Sequence, residues 1–308
     1  MRKFLLATLV STLCLGPMAP SISAQTVAAP YQEAAKILGV AGEMQEGAWV
    51  VRFPRSKPKM NINGESVPSA MGFVSWAAFR DMGGKTVVMG DLALRESEVN
   101  LVISTLEATG LRVSALHNHF FWEEPRMMFL HFYGVGSPAA LALGLSQALS
   151  HTDYPGVPAA SSSPPPGPAA PPPSPALTSA PLDTKGLEQI IGHHGQTQDG
   201  VFKITVGRKG VKMDGMELTS SQGLNSWAAF VGTPDRAHVA GDILMTAQEV
   251  NPVIRTLRTA GILVVAVHNH MLTEQPRMFF LHYWGTGPAE RLAKNVKAAF
   301  DQVKGPVQ

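Results

Sequence analysis

The sequence predicts an α+β protein of two tandem repeats, each a mainly antiparallel sheet with a few helices. The stretch that begins at His117 returns at His268, an offset of 151 residues. Between the copies, Pro, Ala and Ser dominate, a composition that forms an extended linker and cannot form a core. Within each copy, short strand-like segments and hairpin turns surround amphipathic helical segments, which is typical of α+β domains.

The beginning of the chain is typical of a secretory signal peptide. A positively charged start precedes an apolar run too short for a comfortable membrane span, and small residues near Ala24 offer a cleavage site. The only cysteine, Cys14, lies in that run, and Leu13 stands where lipidation requires a small residue. We therefore expect a periplasmic or secreted protein that is cleaved, not lipidated, and has no transmembrane segment in its mature chain.

The predicted organisation is a signal peptide at 1–24, a first repeat at 25–152, a linker at 153–182 and a second repeat at 183–308. The formal net charge is +2, and no basic run interrupts the globular parts. Nucleic acid is therefore not an expected partner, because its binding requires a basic surface.

Each element of the first repeat has a sequence signal. A short helix ends at Gly39, a strand follows at 48–53, and Asn63-Gly64 predicts a tight hairpin turn. A strand around Trp76 precedes another that ends in Gly90-Asp91. Turn chemistry accounts for this aspartate and for its counterpart in the second repeat, and a hydrogen bond to a histidine is the alternative.

An amphipathic helix at 96–109 comes next, and then a strand that carries His117 and His119. Because strand side chains alternate, we expect these histidines to extend the apolar face of Leu111, Val113 and Ala115. A loop, a second strand carrying a third histidine, and a final helix after Gly136 complete the repeat. The second repeat has the same elements.

The histidines of each repeat predict a metal site. His131 should lie opposite or diagonal to His117, and Glu123 enters from the loop. Three neutral imidazoles and a carboxylate suit a divalent transition metal such as Zn, Cu, Mn, Fe or Ni. The predicted ligands in the two repeats are His117, His119, Glu123 and His131, and His268, His270, Glu274 and His282. The alternative is that the histidines bond to one another and fix a hairpin.

Catalytic candidates are confined to the loop of the first repeat. Glu123, Glu124 and Arg126 offer a base and an anion-binding group, although an ion pair between Arg126 and Glu123 is the more ordinary arrangement. Glu124 is replaced by Gln275 in the second repeat, so the first would be the active copy.

The motif His-Asn-His-x-x-x-Glu-x-Pro-Arg-x-x-x-x-His, present in both copies, resembles that of the LppY/LpqO family of secreted bacterial proteins. The resemblance covers nearly the whole mature chain. It implies export and a two-copy layout, and it implies no activity, since that domain has no assigned function.

Two functions remain open from the sequence. The first is a metal-dependent enzyme acting on an unidentified small or polymeric ligand of the envelope or the exterior, and the second is a non-catalytic metal-binding or envelope-binding module. We also expect the repeats to pack as an intramolecular pseudo-dimer. Segments 262–267 and 278–281 are apolar on both faces, whereas a sheet with one solvated face alternates.

Overall fold

The computed structural model describes residues 27–55, 59–154 and 181–305. The predicted signal peptide, Cys14 and most of the predicted linker lie outside the described residues.

The secondary structure of the first repeat follows the predicted order. Its helices are α1 (Gln32–Leu38), α2 (Glu96–Ala108) and α3 (Pro138–Leu149). Its strands are β1 (Gly42–Gln45), β2 (Ala48–Phe53), β3 (Met60–Ile62), β4 (Glu65–Val67), β5 (Ser75–Asp81), β6 (Thr86–Arg95), β7 (Arg112–His117), β8 (Glu123–Glu124) and β9 (Met127–Gly136).

The second repeat has nearly the same elements. Its helices are α4 (Thr184–Ile191), α5 (Ala247–Thr259) and α6 (Ala289–Phe300). Its strands are β10 (Gly195–Gln198), β11 (Val201–Gly207), β12 (Lys212–Met213), β13 (Met216–Glu217), β14 (Asn225–Gly232), β15 (Ala237–Thr246), β16 (Leu263–His268) and β17 (Met278–Gly287).

Each repeat is built on one six-stranded antiparallel sheet. The strand orders are β1-β2-β5-β6-β9-β7 and β10-β11-β14-β15-β17-β16. The small strands form separate sheets, β4-β3-β8 in the first repeat and β12-β13 in the second. The predicted hairpin turn is confirmed, since Asn63 and Gly64 have φ angles of 52° and 81°. The predicted α+β class with mainly antiparallel sheets is likewise confirmed.

In the central strands of each large sheet both faces are buried, but against different layers. In β9, Leu130 and Phe132 pack with the three helices of the first repeat. Phe129 belongs to a cluster that also contains Ala240 and Trp284 of the second repeat. Because alternate side chains point to opposite faces, one face of the sheet meets helices and the other meets the second repeat. The strands are apolar on both faces for this reason.

The two repeats pack together as the predicted pseudo-dimer. Ser114 Oγ donates to His270 O at 2.6 Å, and Asn269 Nδ2 donates to Ser114 O at 2.9 Å. At another edge, Tyr133 OH donates to Asp214 Oδ2 at 2.8 Å. Together with the apolar clusters that mix residues of both repeats, these bonds make the interface between the repeats part of the core.

A β-bulge in β7 determines which way the motif histidines point. Val113 pairs with Phe132, but Ala115 pairs with His131, so Ser114 is an extra residue on this strand. Paired residues of neighbouring strands point their side chains to the same face of a sheet. The residues of β7 that follow the bulge therefore point their side chains toward the other repeat, as His131 and Phe129 do. The second repeat has the same irregularity at the equivalent place.

The predicted common face of this strand is therefore wrong. Leu111 and Val113 pack in the helix-side core, whereas Ala115, His117 and His119 follow the bulge and belong to the inter-repeat side. The prediction assumed uninterrupted alternation, and one extra residue reverses the direction of every later side chain.

A second correction concerns the two aspartates that follow glycine. Asp91 lies in the middle of β6 and pairs with His131, and Asp242 lies in the middle of β15 and pairs with His282. Both carboxylates are buried, so turn chemistry does not explain them. The strands continue through the Gly-Asp step because the glycine lets an aromatic side chain of the neighbouring strand lie close to the backbone.

Asp153 and Tyr154, which the sequence assigned to the linker, pack against the first repeat. Arg55 Nε donates to Asp153 Oδ1 at 2.7 Å, and Tyr154 OH donates to Ala93 O at 2.7 Å. Tyr154 is 3% exposed. An aromatic ring buried to this extent is part of the core of that repeat.

Candidate metal centre

Six histidines from the two repeats meet between the sheets. Five are buried, and the side chain of the sixth, His270, is 9% exposed. The shortest distances between the centroids of two histidine rings join the repeats. They are 3.7 Å for His117 and His268, 3.8 Å for His119 and His282, and 3.9 Å for His131 and His270. When each residue is replaced by its equivalent in the other repeat, the pair His119–His282 becomes the pair His270–His131. This is expected of two repeats related by a pseudo-twofold axis.

Within each repeat the predicted convergence is also present. His131 is diagonal to His117 across the strand pair, because His117 itself pairs with Phe129. The ring centroids of His117 lie 5.1 Å from those of both His119 and His131. The structure therefore brings the two predicted histidine sets into one shared centre.

Two groups of imidazole nitrogens are close enough to hold a cation. The first is His117, His268 and His282, and the second is His131, His268 and His270, with ligand atoms within 4.8 Å of one another in each group. In the first, His117 Nε2 lies 3.3 Å from His282 Nε2. Each group draws on both repeats, so neither repeat could complete it alone.

Backbone carbonyls orient most of these imidazoles. In five of them Nδ1 lies within hydrogen-bond distance of a carbonyl oxygen: His119 with Gly72 at 3.1 Å, His131 with Gly90 at 3.3 Å, His268 with Asn269 at 3.4 Å, His270 with Gly223 at 3.2 Å and His282 with Gly241 at 3.1 Å. A carbonyl only accepts, so Nδ1 carries the proton and Nε2 keeps its lone pair. This is the usual outer contact of a metal-binding histidine.

Burial keeps the six imidazoles neutral. It lowers the pKa of every one of them, to about 4 for His268 and to about 3 for His270. Neighbouring histidines lower the pKa of His117, His119 and His131 further, because positive charges at this spacing repel. The neutral imidazole is the form that binds a metal.

Asp91 and Asp242 are the carboxylates beside the histidines. Asp242 Oδ2 lies 3.3 Å from His270 Nε2, and Asp91 Oδ2 lies 3.6 Å from His119 Nε2. Burial, and then the negative charge of Asp242, raises the pKa of Asp91 to about 8. Two buried carboxylates close enough to repel are stabilised by a cation between them.

Polar atoms of the centre lack hydrogen-bond partners among the described residues. They are His117 Nδ1, His119 Nε2, His131 Nε2, His268 Nε2, Asp91 Oδ1 and Asp242 Oδ1. An unpaired buried polar atom costs about 1–3 kcal/mol. Six in one place are unfavourable unless something binds there, and a cation pairs with lone pairs of both nitrogen and oxygen. The residues present therefore fit a metal ion.

The loop glutamates have different partners. Glu274 accepts from Arg277 Nη1 at 3.1 Å and from Met278 N at 2.9 Å. Glu123 is buried, and its Oε1 lies 3.8 Å from Arg126 Nε. These contacts agree with the alternative in which the loop arginine forms an ion pair with the glutamate. Neither group of potential metal-binding residues contains Glu123 or Glu274. Their predicted role as ligands stays a prediction, and Asp91 and Asp242, which also lie outside both groups, are the carboxylates beside the histidines.

The remaining catalytic candidates lie on the surface of the loop. Glu124 is exposed in β8, where it pairs with Asn61, and the Arg126 side chain is 50% exposed. Neither belongs to a group of potential metal-binding residues. A catalytic role for Glu123, Glu124 and Arg126 stays a prediction.

Lys203 is a charged residue near Asp242 that belongs to none of the predicted sites. Its Nζ lies 4.0 Å from the ring centroid of Trp227, a cation–π contact. Burial, and then the positive charge of Arg52 from the other repeat, lowers the lysine pKa to about 8, although the charge of Asp242 opposes this. A lysine within an otherwise apolar strand segment was the available signal.

The fold and the site together define a class: a tandem-repeat α+β protein with a buried histidine-rich centre on its internal pseudo-twofold axis. The chain belongs to the family described as Domain of Unknown Function (DUF1259), whose model matches residues 32–151 and 185–302. A search of curated proteins found no match.

Among solved structures, the chain is similar to the trimeric bacterial microcompartment shell protein PduB. The two share 13% sequence identity over 85% of this chain and 90% of that chain, with a TM-score of 0.20. At this TM-score the similarity supports no argument. Among the described residues, no helix has both the length and the apolar composition needed to cross a membrane.

Proposed function

We propose that the chain is an exported, LppY/LpqO-like protein whose shared centre binds a divalent transition metal. The observation that carries this proposal is the set of unpaired buried nitrogen and oxygen atoms where the repeats meet. Neutral imidazoles favour Zn, Cu, Ni, Fe or Mn over Ca or Mg, which prefer oxygen ligands.

A non-catalytic role suits the geometry better than an enzymatic one. A catalytic metal keeps a coordination position open to substrate, whereas a structural metal is enclosed by its ligands. The histidines here are enclosed between two sheets, and each group of ligands draws on both repeats. A metal bound there would join the repeats. The alternative of a metal-dependent enzyme acting on envelope or extracellular material requires an opening to the centre, which an activity dependent on Glu124 would reveal.

Elemental analysis of protein expressed without a histidine tag and purified without chelators tests the proposal. We expect at least one Zn, Cu, Mn, Fe or Ni ion per chain, because each group offers the three or more ligands such a metal requires. Removal by a chelator should lower the melting temperature, because a ligand that binds only the folded state stabilises it.

Reloading of the stripped protein provides the control. Transition metals should restore the melting temperature, whereas Mg²⁺ and Ca²⁺ at the same concentration should not. Protein that contains no stoichiometric metal, and whose stability no transition metal changes, would contradict the proposal.

A further inference from the structure

A cavity in the second repeat has a filled counterpart in the first. It opens beside Val206, Arg208, Ser226 and Leu244, and its lining also includes Ile191, His193, the end of α6, Val303 and Gly305. None of the six central histidines lines it. The cavity is therefore separate from the proposed metal centre.

In the first repeat, Tyr154 occupies the equivalent place. Its hydroxyl donates to Ala93 O at 2.7 Å and also contacts Ser75 Oγ. Its ring centroid lies 6.2 Å from that of Phe53 and 4.9 Å from the guanidinium carbon of Arg55. The phenol side chain is thus held by a hydroxyl, a carbonyl, an aromatic edge and a cation.

Each of these partners has a counterpart in the wall of the second cavity, but the tyrosine itself does not. Ser226 stands for Ser75, Leu244 for Ala93, Arg208 for Arg55 and Val206 for Phe53. The strand pairing matches Val206 with Phe53, because each pairs with the serine. The position equivalent to Tyr154, at the offset of 151 that relates the two serines, is Gly305. The second repeat has kept the hydroxyl, the carbonyl and the cation, has a valine in place of the aromatic edge, and has lost the side chain that these groups bind.

The serine is held in the same way in both repeats, and a buried glutamate binds the arginine in each. Ser226 Oγ accepts from Leu244 N at 3.0 Å, as Ser75 Oγ accepts from Ala93 N at 2.8 Å. Arg208 is fixed by Glu249, whose Oε2 lies 2.8 Å from Nη1. A ring placed in this cavity would find a serine hydroxyl held as Tyr154 finds it, and a guanidinium that also lines the cavity.

We propose that this cavity binds a small phenolic molecule. The ring lies against the Arg208 guanidinium, and the phenol oxygen bonds with Ser226 Oγ and donates to Leu244 O. The cation–π contact favours an aromatic ring, and the two hydrogen bonds select a phenol over an aromatic hydrocarbon such as toluene. Val206 is smaller than the phenylalanine of the first repeat, which leaves room for a substituent on the ring.

Titration of p-cresol, the side-chain analogue of tyrosine, into the full chain tests the proposal by NMR. We expect saturable shifts centred on the amides of Ser226 and Leu244. Toluene, which lacks the hydroxyl, should bind about 3- to 10-fold more weakly, the value of one or two net hydrogen bonds. Shifts that do not saturate, or that map elsewhere, would overturn the proposal even if the metal centre is confirmed.

Three variants locate the site. Ser226→Ala should weaken p-cresol binding about 3- to 10-fold, whereas the matched Ser75→Ala change in the filled repeat should not affect it. Tyr154→Ala should create a second p-cresol site, which shows that the assay detects such a cavity. A Tyr154→Ala protein that binds one p-cresol, when the wild-type protein binds none, would show that the second cavity is closed to phenols.

A chain truncated after Gly305 tests the remaining possibility, that the end of the chain occupies the cavity. If p-cresol binds only when residues 306–308 are removed, the end of the chain is the occupant, and the proposal of a free phenol site is wrong. Equal affinity of the full and truncated chains supports it.

Discussion

Replacing His268 with leucine is expected to abolish metal binding. His268 is the one histidine common to both groups of potential ligands, so each group loses a ligand. At a metal concentration 1,000-fold above Kd, metal stabilises the folded state by about 4 kcal/mol. Loss of that contribution lowers the melting temperature by about 8–16 °C for domains of this size. Metal content and calorimetry, with and without chelator, measure both effects.

Comparing the metal-free variant with the metal-free wild-type protein separates the loss of metal binding from any effect of leucine on packing. His268 Nε2 has no hydrogen-bond partner among the described residues, and the ring is buried. Because leucine has no polar atom to leave unpaired, the metal-free variant should be at least as stable as the metal-free wild-type protein. The matched control is His194→Leu, since the His194 side chain is fully exposed at 100%. Metal retained by His268→Leu, or lost by His194→Leu, would argue against the shared centre.

Cleavage of the linker is expected to leave the two repeats associated. A protease site placed within residues 155–180 and then cut should give two fragments that elute together in size-exclusion chromatography. The reason is the mixed apolar clusters, in which Phe120 of one repeat lies 5.6 Å from Trp284 of the other, ring to ring. Burial of several large side chains at about 1.5–3 kcal/mol each exceeds what a bare linker contributes through effective concentration.

The isolated first repeat is expected to form a dimer or aggregates. A fragment of residues 25–154 would expose the face that carries Met127 and Phe129, which the second repeat normally covers. Because the interface has pseudo-twofold character, a second copy of the fragment is the nearest substitute. Extending the fragment to Tyr154 keeps its own helix-side core complete. A stable monomer with no affinity for residues 181–308 would contradict this prediction.

Much of the fold was accessible from the sequence because its signals are local. Helix α1 ends where Gly39 takes a left-handed conformation, and the Asn63-Gly64 turn has the two positive φ angles that this pair adopts easily. The identity of the six central histidines was accessible for another reason. An internal repeat showed which polar residues return while their neighbours change.

The carboxylates beside the histidines were harder to predict from the sequence. Glu123 lies in the motif and Asp91 lies outside it, 26 residues before His117. Only the antiparallel pairing of β6 with β9 brings Asp91 beside His131. Sequence separation gives no information about such a pairing, whereas Glu123 has Arg126 three residues away and forms the local ion pair.

By itself, the sequence determined the class of the fold, the two copies, the predicted pseudo-dimer and the six histidines, because residue spacing, turn chemistry and hydrophobic pattern act over short distances. Only the tertiary structure decided that these histidines form one centre. A single extra residue, Ser114, turns the later side chains of the strand toward the other repeat, and the closest pairs of histidine rings then join the two repeats. Neither the bulge nor the axis has a local signature, because both arise from the pairing of strands and sheets far apart in the chain.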